Sequence, residues 1–326
     1  TAKEILLSGR KRLDTELKQK PEIRARLLET IGNSFTGVDL QLEAKAAFEE
    51  SLRILGHDDP RAARSWSGLS ETYYNLGQYE NSVSAARRGL SISEKYLKPG
   101  DDRISREIQT LGRALLGVSA LEEAASLIER LEKIDQENGR SMTPEAAEHL
   151  SIYGEVLRRQ RKYEQAIEKI RRAIQILEIN PRSLRYLTAV NTLGMTLNSS
   201  KRFEEADRVF GQLLQATAKV YGPDHINIAF VENYRVDSWI GLRRYRDALA
   251  KMEELIPKFR KLLPREHISQ CEAAATYADI QSRINRERGL KEYDRAIAFC
   301  VEILGADHYY VQSMQDDREK VVNRSN

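Results

Sequence analysis

The stretch Asn191–Leu214, NTLGMTLNSSKRFEEADRVFGQLL, reads as a helix, a short polar break, and a second helix that opens on Phe203-x-x-Ala206. The same aromatic-x-x-Ala pattern occurs at Tyr163/Ala166, Tyr245/Ala248 and Tyr293/Ala296. Weaker copies stand at Tyr79/Ser82, Leu121/Ala124 and Gln41/Ala44. The small residue falls at positions 44, 82, 124, 166, 206, 248 and 296, in steps of 38, 42, 42, 40, 42 and 48. A period of this length marks one supersecondary unit repeated along the chain, each copy burying its apolar face against its neighbours.

Each unit reads as two antiparallel helices, A then B. Helix A carries apolar residues at helical spacing, such as Leu150, Tyr153, Gly154 and Leu157. Gly32, Ser70, Gly112, Gly154 and Gly194 hold one equivalent position in helix A, as the alanine series does in helix B. Small side chains there let two helices approach to about 8–10 Å. The aromatic residue before each alanine is expected to cover the A–B turn. Between units the chain repeats a kind of punctuation, as in VYGPDHINIAF (Val220–Phe230) and ILGHDDPRAAR from Ile54. These stretches read as joints that end helix B and cap the next helix A. Asp59-Pro60 and Thr143-Pro144 have the form of an N-cap followed by proline, and Asp101 or Asp102 and Asp224 are further candidate caps.

The pattern predicts an all-α fold, a right-handed superhelical solenoid without sheet. An N-terminal helix is expected in 1–20, near 2–18; about seven helix pairs in 21–305; and a capping helix with a tail in 306–326, near 307–322. Composition agrees. Of 326 residues 41% are hydrophobic, enough for a long stacked core, and only 8 are proline. Charged residues make up 31% and nearly cancel, to a net +3, which argues against a nucleic-acid partner. No apolar run reaches the roughly 18–20 residues of a membrane span.

The helix pairs resemble the tetratricopeptide repeat. In that family helix A carries large, Leu, Gly and Tyr positions, and helix B carries Ala, an aromatic or aliphatic residue, then Ala. Asn191–Leu214 and SIYGEVLRRQRKYEQAIEKIRRAI (Ser151–Ile174) match best. The period near 42 is similar to the long variety of kinesin light chains and many bacterial proteins. The resemblance implies a peptide- or protein-binding groove on the concave side lined by A helices.

A second resemblance is narrower. TAKEILLSGRKRLDTELKQKPEIRARLLETIGNSF, the first 35 residues, is similar to the segment opening the C-terminal repeat region of bacterial membrane serine/threonine kinases. Thr1 to Leu6 fit, as do Pro21, Glu22, Ala25, Leu27 and Leu28. This implies an extracytoplasmic, periplasmic sensor region attached to the membrane through a segment outside this chain, and leaves a homodimer open. The alternative is a cytoplasmic scaffold that recognises peptide segments, as kinesin light chains do.

Catalytic chemistry is not expected. There is no glycine-rich nucleotide loop and no kinase catalytic motif, and no cofactor or metal is implied. His57, His225, His267 and His308 sit in inter-repeat loops, apart from His149, and are expected to cap or hydrogen-bond rather than ligate. Cys271 and Cys300 are expected to stay unbridged, because antiparallel packing should hold their Cα atoms beyond about 7 Å.

Counting from the small residue of each helix A gives the outward positions of the expected ligand-binding face. They are Arg26, Glu29 and Asn33; Ser67, Glu71, Tyr74 and Asn75; Arg106, Gln109 and Arg113; Ser151, Glu155, Arg158 and Arg159; Asn191, Met195 and Asn198; and Asn233 and Asp237. Asn191 and Asn233 are 42 apart, at one repeat position. An amide donates and accepts at once, so it can pair with the backbone of an extended segment. Tyr74, Met195 and Trp239 are expected to form side-chain pockets.

Overall fold

The computed structural model describes residues 2–17, 19–38, 40–265, 267–306 and 308–323. Among them the chain has sixteen helices and no strand. It divides into two compact units, Thr1–Lys162 and Tyr163–Asn326. The first holds α1 (Ala2–Glu16), α2 (Pro21–Gly37), α3 (Gln41–Leu55), α4 (Ala62–Asn75), α5 (Tyr79–Tyr96), α6 (Asp102–Gly117), α7 (Leu121–Glu137) and α8 (Pro144–Arg159). The second holds α9 (Tyr163–Leu177), α10 (Leu184–Ser199), α11 (Phe203–Tyr221), α12 (Ile226–Gly241), α13 (Tyr245–Leu262), α14 (Ile268–Ile284), α15 (Arg286–Leu304) and α16 (Tyr309–Val322). Thr1, Lys18 and Asp307, which the sequence reading placed in its N-terminal motif and terminal helices, lie outside the described residues. From α2 to α15, even-numbered helices are A and odd-numbered ones are B.

The small residues do what their spacing implies. A Cβ on Gly32 would lie 2.8 Å from the Phe48 ring, one on Gly112 2.8 Å from Ile128, and one on Gly194 2.6 Å from Phe210. Phe48, Ile128 and Phe210 each follow the small residue of their helix B by one turn, and all three are fully buried. In the second pair both small positions are serine. Ser70 Oγ donates to the Ser82 carbonyl at 2.9 Å, and Ser82 Oγ donates to the Ser70 carbonyl at 2.8 Å. The aromatic residue at the start of helix B does more than cover its own turn. Tyr79 also occupies the space beside Gly117 of α6, and Phe203 that beside Gly241 of α12, so each ring seats the end of the next A helix.

Five of the A–B turns share one geometry. Gly77, Ser119, Arg161, Lys201 and Arg243 all have left-handed φ, between 56° and 72°. After each, an N–H reaches back five residues to a helix A carbonyl, as in Arg202 N to Leu197 O and Arg244 N to Trp239 O, both 2.8 Å. This is the Schellman closure that satisfies helix-end carbonyls. Of these five, only the α4–α5 turn uses the glycine the geometry favours.

At the joints between units, Asp101 accepts from Arg103 N and caps α6, and Thr143 Oγ1 accepts from Ala146 N and caps α8. Two expectations change. Asp59 does not cap α4 directly; its carboxylate accepts from Arg61 N at 2.8 Å, and the helix starts at Ala62. The cap of α12 is His225, not Asp224: Nδ1 accepts from Asn227 N at 3.2 Å. His267 and His308 cap α14 and α16 in the same way, because an imidazole one residue before the helix presents an acceptor where Asp or Ser would.

The expectation for Cys271 and Cys300 is overturned. Their Cα atoms are 5.6 Å apart and the sulfurs are joined in a disulfide. The sequence reading started the last B helix near Tyr293. The turn is instead the single residue Asn285, which ends α14 and caps α15. Cys271 and Cys300 lie almost symmetrically about it, so antiparallel packing brings them face to face. The bridge is buried with Val311 and Met314 of α16.

Within each unit the A helices are drawn together. In the first, α2 touches α4, α4 touches α6 and α6 touches α8; in the second, α10 touches α12. Among the described residues no two B helices of a unit approach comparably. Each unit is thus tighter on its A side, where a binding surface is expected.

Replacing Lys201 by glycine should relieve the left-handed strain of a β-carbon, about 1–2 kcal/mol, against a chain-entropy cost of about 0.5–1 kcal/mol. The expected net is a stabilisation of about 0.5 kcal/mol, read as a higher midpoint of urea unfolding; a lower midpoint contradicts this account of the turn.

Candidate functional site

On the A face of the first unit, Arg26, Asn33, Glu71 and Arg106 are exposed and Gln109 is half-buried. Asn33, Glu71 and Gln109 have no polar partner among the described residues. The other expected residues are engaged in the fold. Glu29 pairs with Arg64 at 3.4 Å. Asn75 Nδ2 reaches Gln41 Oε1 at 3.5 Å, and Tyr74 packs edge-on to Tyr79, ring centroids 5.3 Å apart. Arg113 pairs with Glu148, tying α6 to α8. Ser151 is buried and donates to its own helix, at Ala147 O.

Glu155 accepts from both Arg158 and Arg159. Burial pushes the Glu155 carboxyl up, but Arg158 and then Arg159 outweigh it and hold it below the ordinary carboxylate value. Arg159 also donates to Leu116 O at 2.8 Å, at the end of α6.

Ser67 leads to a residue that the sequence reading missed. It donates to Glu107 of α6, which is only 3% exposed. Burial pushes the Glu107 carboxyl up to about 7, against the opposing pull of the Ser67 hydroxyl, Arg106 and Arg64.

The A face of the second unit separates amides that are spent from amides that are not. Asn198 of α10 is spent: its Nδ2 donates to Tyr234 O at 3.1 Å and its Oδ1 accepts from Ser238 at 2.8 Å, which clamps α10 to α12. Asn191 donates to Met195 Sδ at 3.5 Å, but its Oδ1 is buried without a donor. Asn233 Oδ1, one repeat on, is likewise buried without a donor. A buried acceptor left unmet costs about 1–3 kcal/mol, so two of them at one repeat position stand out.

Trp239 is held by its neighbours. Its Nε1 donates to Asp207 at 2.8 Å, and the guanidinium groups of Arg235 and Arg244 lie 5.2 and 5.1 Å from its ring. It is a stacked pillar between α11, α12 and α13.

Asp237 lies one turn beyond Asn233 on α12 and opens into a cavity of about 360 Å³. Thr276, Asp279 and Arg283 of α14, Tyr293 of α15, and Tyr310, Asp317 and Lys320 of α16 share its lining. Asp279 was within reach of the sequence, since it stands 42 residues after Asp237; the α16 residues were not, because α16 follows no repeat copy in phase.

Paired helices meeting at small residues, with unmet amides on one face, define a helical-repeat scaffold. Models described as tetratricopeptide repeat match residues 145–217 and 63–96. Over those residues the chain carries tetratricopeptide repeats. It is 24% identical over 219 residues to kinesin light chain-related 3 of Arabidopsis thaliana, covering 66% of this chain and 34% of the relative. To kinesin light chain-related 2 of the same plant it is 24% identical over 281 residues, covering 83% of this chain and 42% of the relative. The chain therefore spans less than half the length of these curated relatives. Among solved structures, a Rap protein complexed with Competence and Sporulation Factor superposes with a TM-score of 0.65 at 12% identity, over 91% of this chain and 87% of that one.

Glu107 generates a pH prediction. Its folded carboxyl titrates near 7 against an ordinary 4.5, so unfolding releases a proton in that window. Its contribution is fully present below about pH 4.5 and is lost as pH rises through about 7, by up to about 3 kcal/mol. Glu107→Gln should flatten the fall in stability between pH 5 and 8, measured by denaturant unfolding of wild type and variant. Parallel pH profiles would rule this out.

Proposed function

We propose that the chain is a non-catalytic module that binds an extended peptide or protein segment along its A-helix face. The observation that carries this is the repeat-phased pair of unmet acceptors, Asn191 Oδ1 and Asn233 Oδ1. An extended backbone presents N–H donors along its length, so successive repeats can each meet one. That the Rap protein of similar fold was solved with a bound factor supports the reading by analogy. The remaining outward residues would flank segments bound on the face of their own unit: Asn33, Glu71, Tyr74, Asn75, Arg106, Gln109, Arg113, Glu155, Arg158 and Arg159 in the first, and Met195, Asn198 and Asp237 in the second. Asn198, Glu155 and Arg159 would act mainly by holding the face in shape.

Such a module serves as the extracytoplasmic sensor of a bacterial membrane serine/threonine kinase. The opening Lys3–Leu6 and Pro21–Leu28 pattern favours this. So does the Cys271–Cys300 disulfide, since bridges persist in oxidising compartments. The similarity to the plant kinesin light chain-related proteins favours the second reading, a cytoplasmic scaffold.

Two measurements test these readings. A library of extended twelve-residue peptides, scored by fluorescence anisotropy, should yield binders that Asn191→Ala/Asn233→Ala weakens by about 5- to 150-fold, two neutral hydrogen bonds, with the circular dichroism spectrum unchanged. Equal affinity would move the site off this face. Alkylation of the chain in its native host before and after reduction reads the compartment: a mass gain only after reduction supports the extracytoplasmic sensor, and immediate double alkylation on unfolding supports the scaffold.

A further inference from the structure

The cavity at the far end of the second unit has a charge balance that its own residues leave incomplete. Asp279 is paired with Arg283 at 2.9 Å, and Asp317 with Lys320 at 2.8 Å. Asp237, between them, makes no hydrogen bond or ion pair among the described residues. Three carboxylates thus face two cations, and Glu272 adds to the negative field felt by Asp237. The Asp237 side chain is exposed to the cavity. Desolvation by the surrounding protein, with the nearby charges of Asp279 and Glu272, pushes its carboxyl up to about 7. A cation beside it would reverse the shift.

The shape fits the same guest. At about 360 Å³ the space is at the small end of ligand pockets. Tyr293 and Tyr310 contribute to its wall, and aromatic faces attract ammonium and guanidinium groups. The adjoining space of about 430 Å³, which Asp237 also lines, carries Arg243 and Arg283 and is the less hospitable side for a cation. Asp237 follows Asn233 by four residues on one face of α12, which places the two about 5–6 Å apart. A backbone held by the Asn233 amide would project a side chain into the cavity.

We propose that this cavity receives the positively charged end of a lysine or arginine side chain, carried by the segment bound along the A face, with Asp237 as its counter-ion. This rests on the peptide-binding reading, and the experiment separates the two. The first probe is N-acetyl-argininamide against its neutral isostere N-acetyl-citrullinamide, titrated into the whole chain with the Ile240 methyl followed by NMR. Argininamide should give saturable shifts and citrullinamide none. Asp237→Asn should weaken argininamide about tenfold or more, the scale of one charge-assisted hydrogen bond, while Asp237→Glu keeps the preference for argininamide over citrullinamide. The second probe is the set of library binders with each lysine or arginine replaced by norleucine or citrulline. One such replacement should cost about tenfold in wild type and nothing in Asp237→Asn. Equal shifts from the charged and neutral amides, or indifference to Asp237→Asn, overturns the proposal. Peptides that bind with no regard to charge overturn it while leaving the groove standing. Argininamide selectivity without peptide binding upholds the cation site and removes the groove.

Discussion

The closest approach of helix A to helix B is the constraint on which the structure depends. At Gly32, Gly112 and Gly194 the missing β-carbon is the space that Phe48, Ile128 and Phe210 fill. A side chain at any of these positions would force the pair apart, and overpacking of this kind costs about 1–3 kcal/mol. The pair is also the seat of the next one, because Tyr79 and Phe203 lie against glycines at the ends of the following A helices. One steric rule, repeated, therefore sets both the pair and its neighbour.

That rule governs the binding surface as well. Because A helices of a unit approach one another more closely than its B helices do among the described residues, side chains on the A face are crowded enough to bond across repeats. Asn198 reaches Tyr234 and Ser238, and Arg159 reaches Leu116. The same crowding buries Asn191 Oδ1 and Asn233 Oδ1 without supplying donors. A polar face on packed A helices thus sorts itself into clamps and vacancies, and the vacancies are where a guest gains most.

Much of this was legible in the sequence, and the reasons for the rest are physical. The period, the small positions, and the caps Asp101 and Thr143 could be read because each depends on one residue type in one place. The A face was legible as a set of positions, but not which amides were engaged: Asn191 and Asn198 look alike until the helices beside them are present. The left-handed residues Arg161, Lys201 and Arg243 carry no mark in their side chains, since the turn is imposed by the helices it joins. The bridging of Cys271 and Cys300 was misread because the 48-residue step hid the turn at Asn285. The α16 part of the cavity follows no repeat copy, so no phase could announce it.

In a stacked array each repeat is held by its neighbours, and an end repeat has only one. Unravelling therefore begins at the termini, where opening costs least. The Cys271–Cys300 bridge ties together the last pair, α14 and α15, a span of 29 residues. A loop of that size closed in the unfolded chain is worth about 3–4 kcal/mol. It holds that pair shut beside the cavity that α16 completes, so the two helices stay together even when the repeats beside them open.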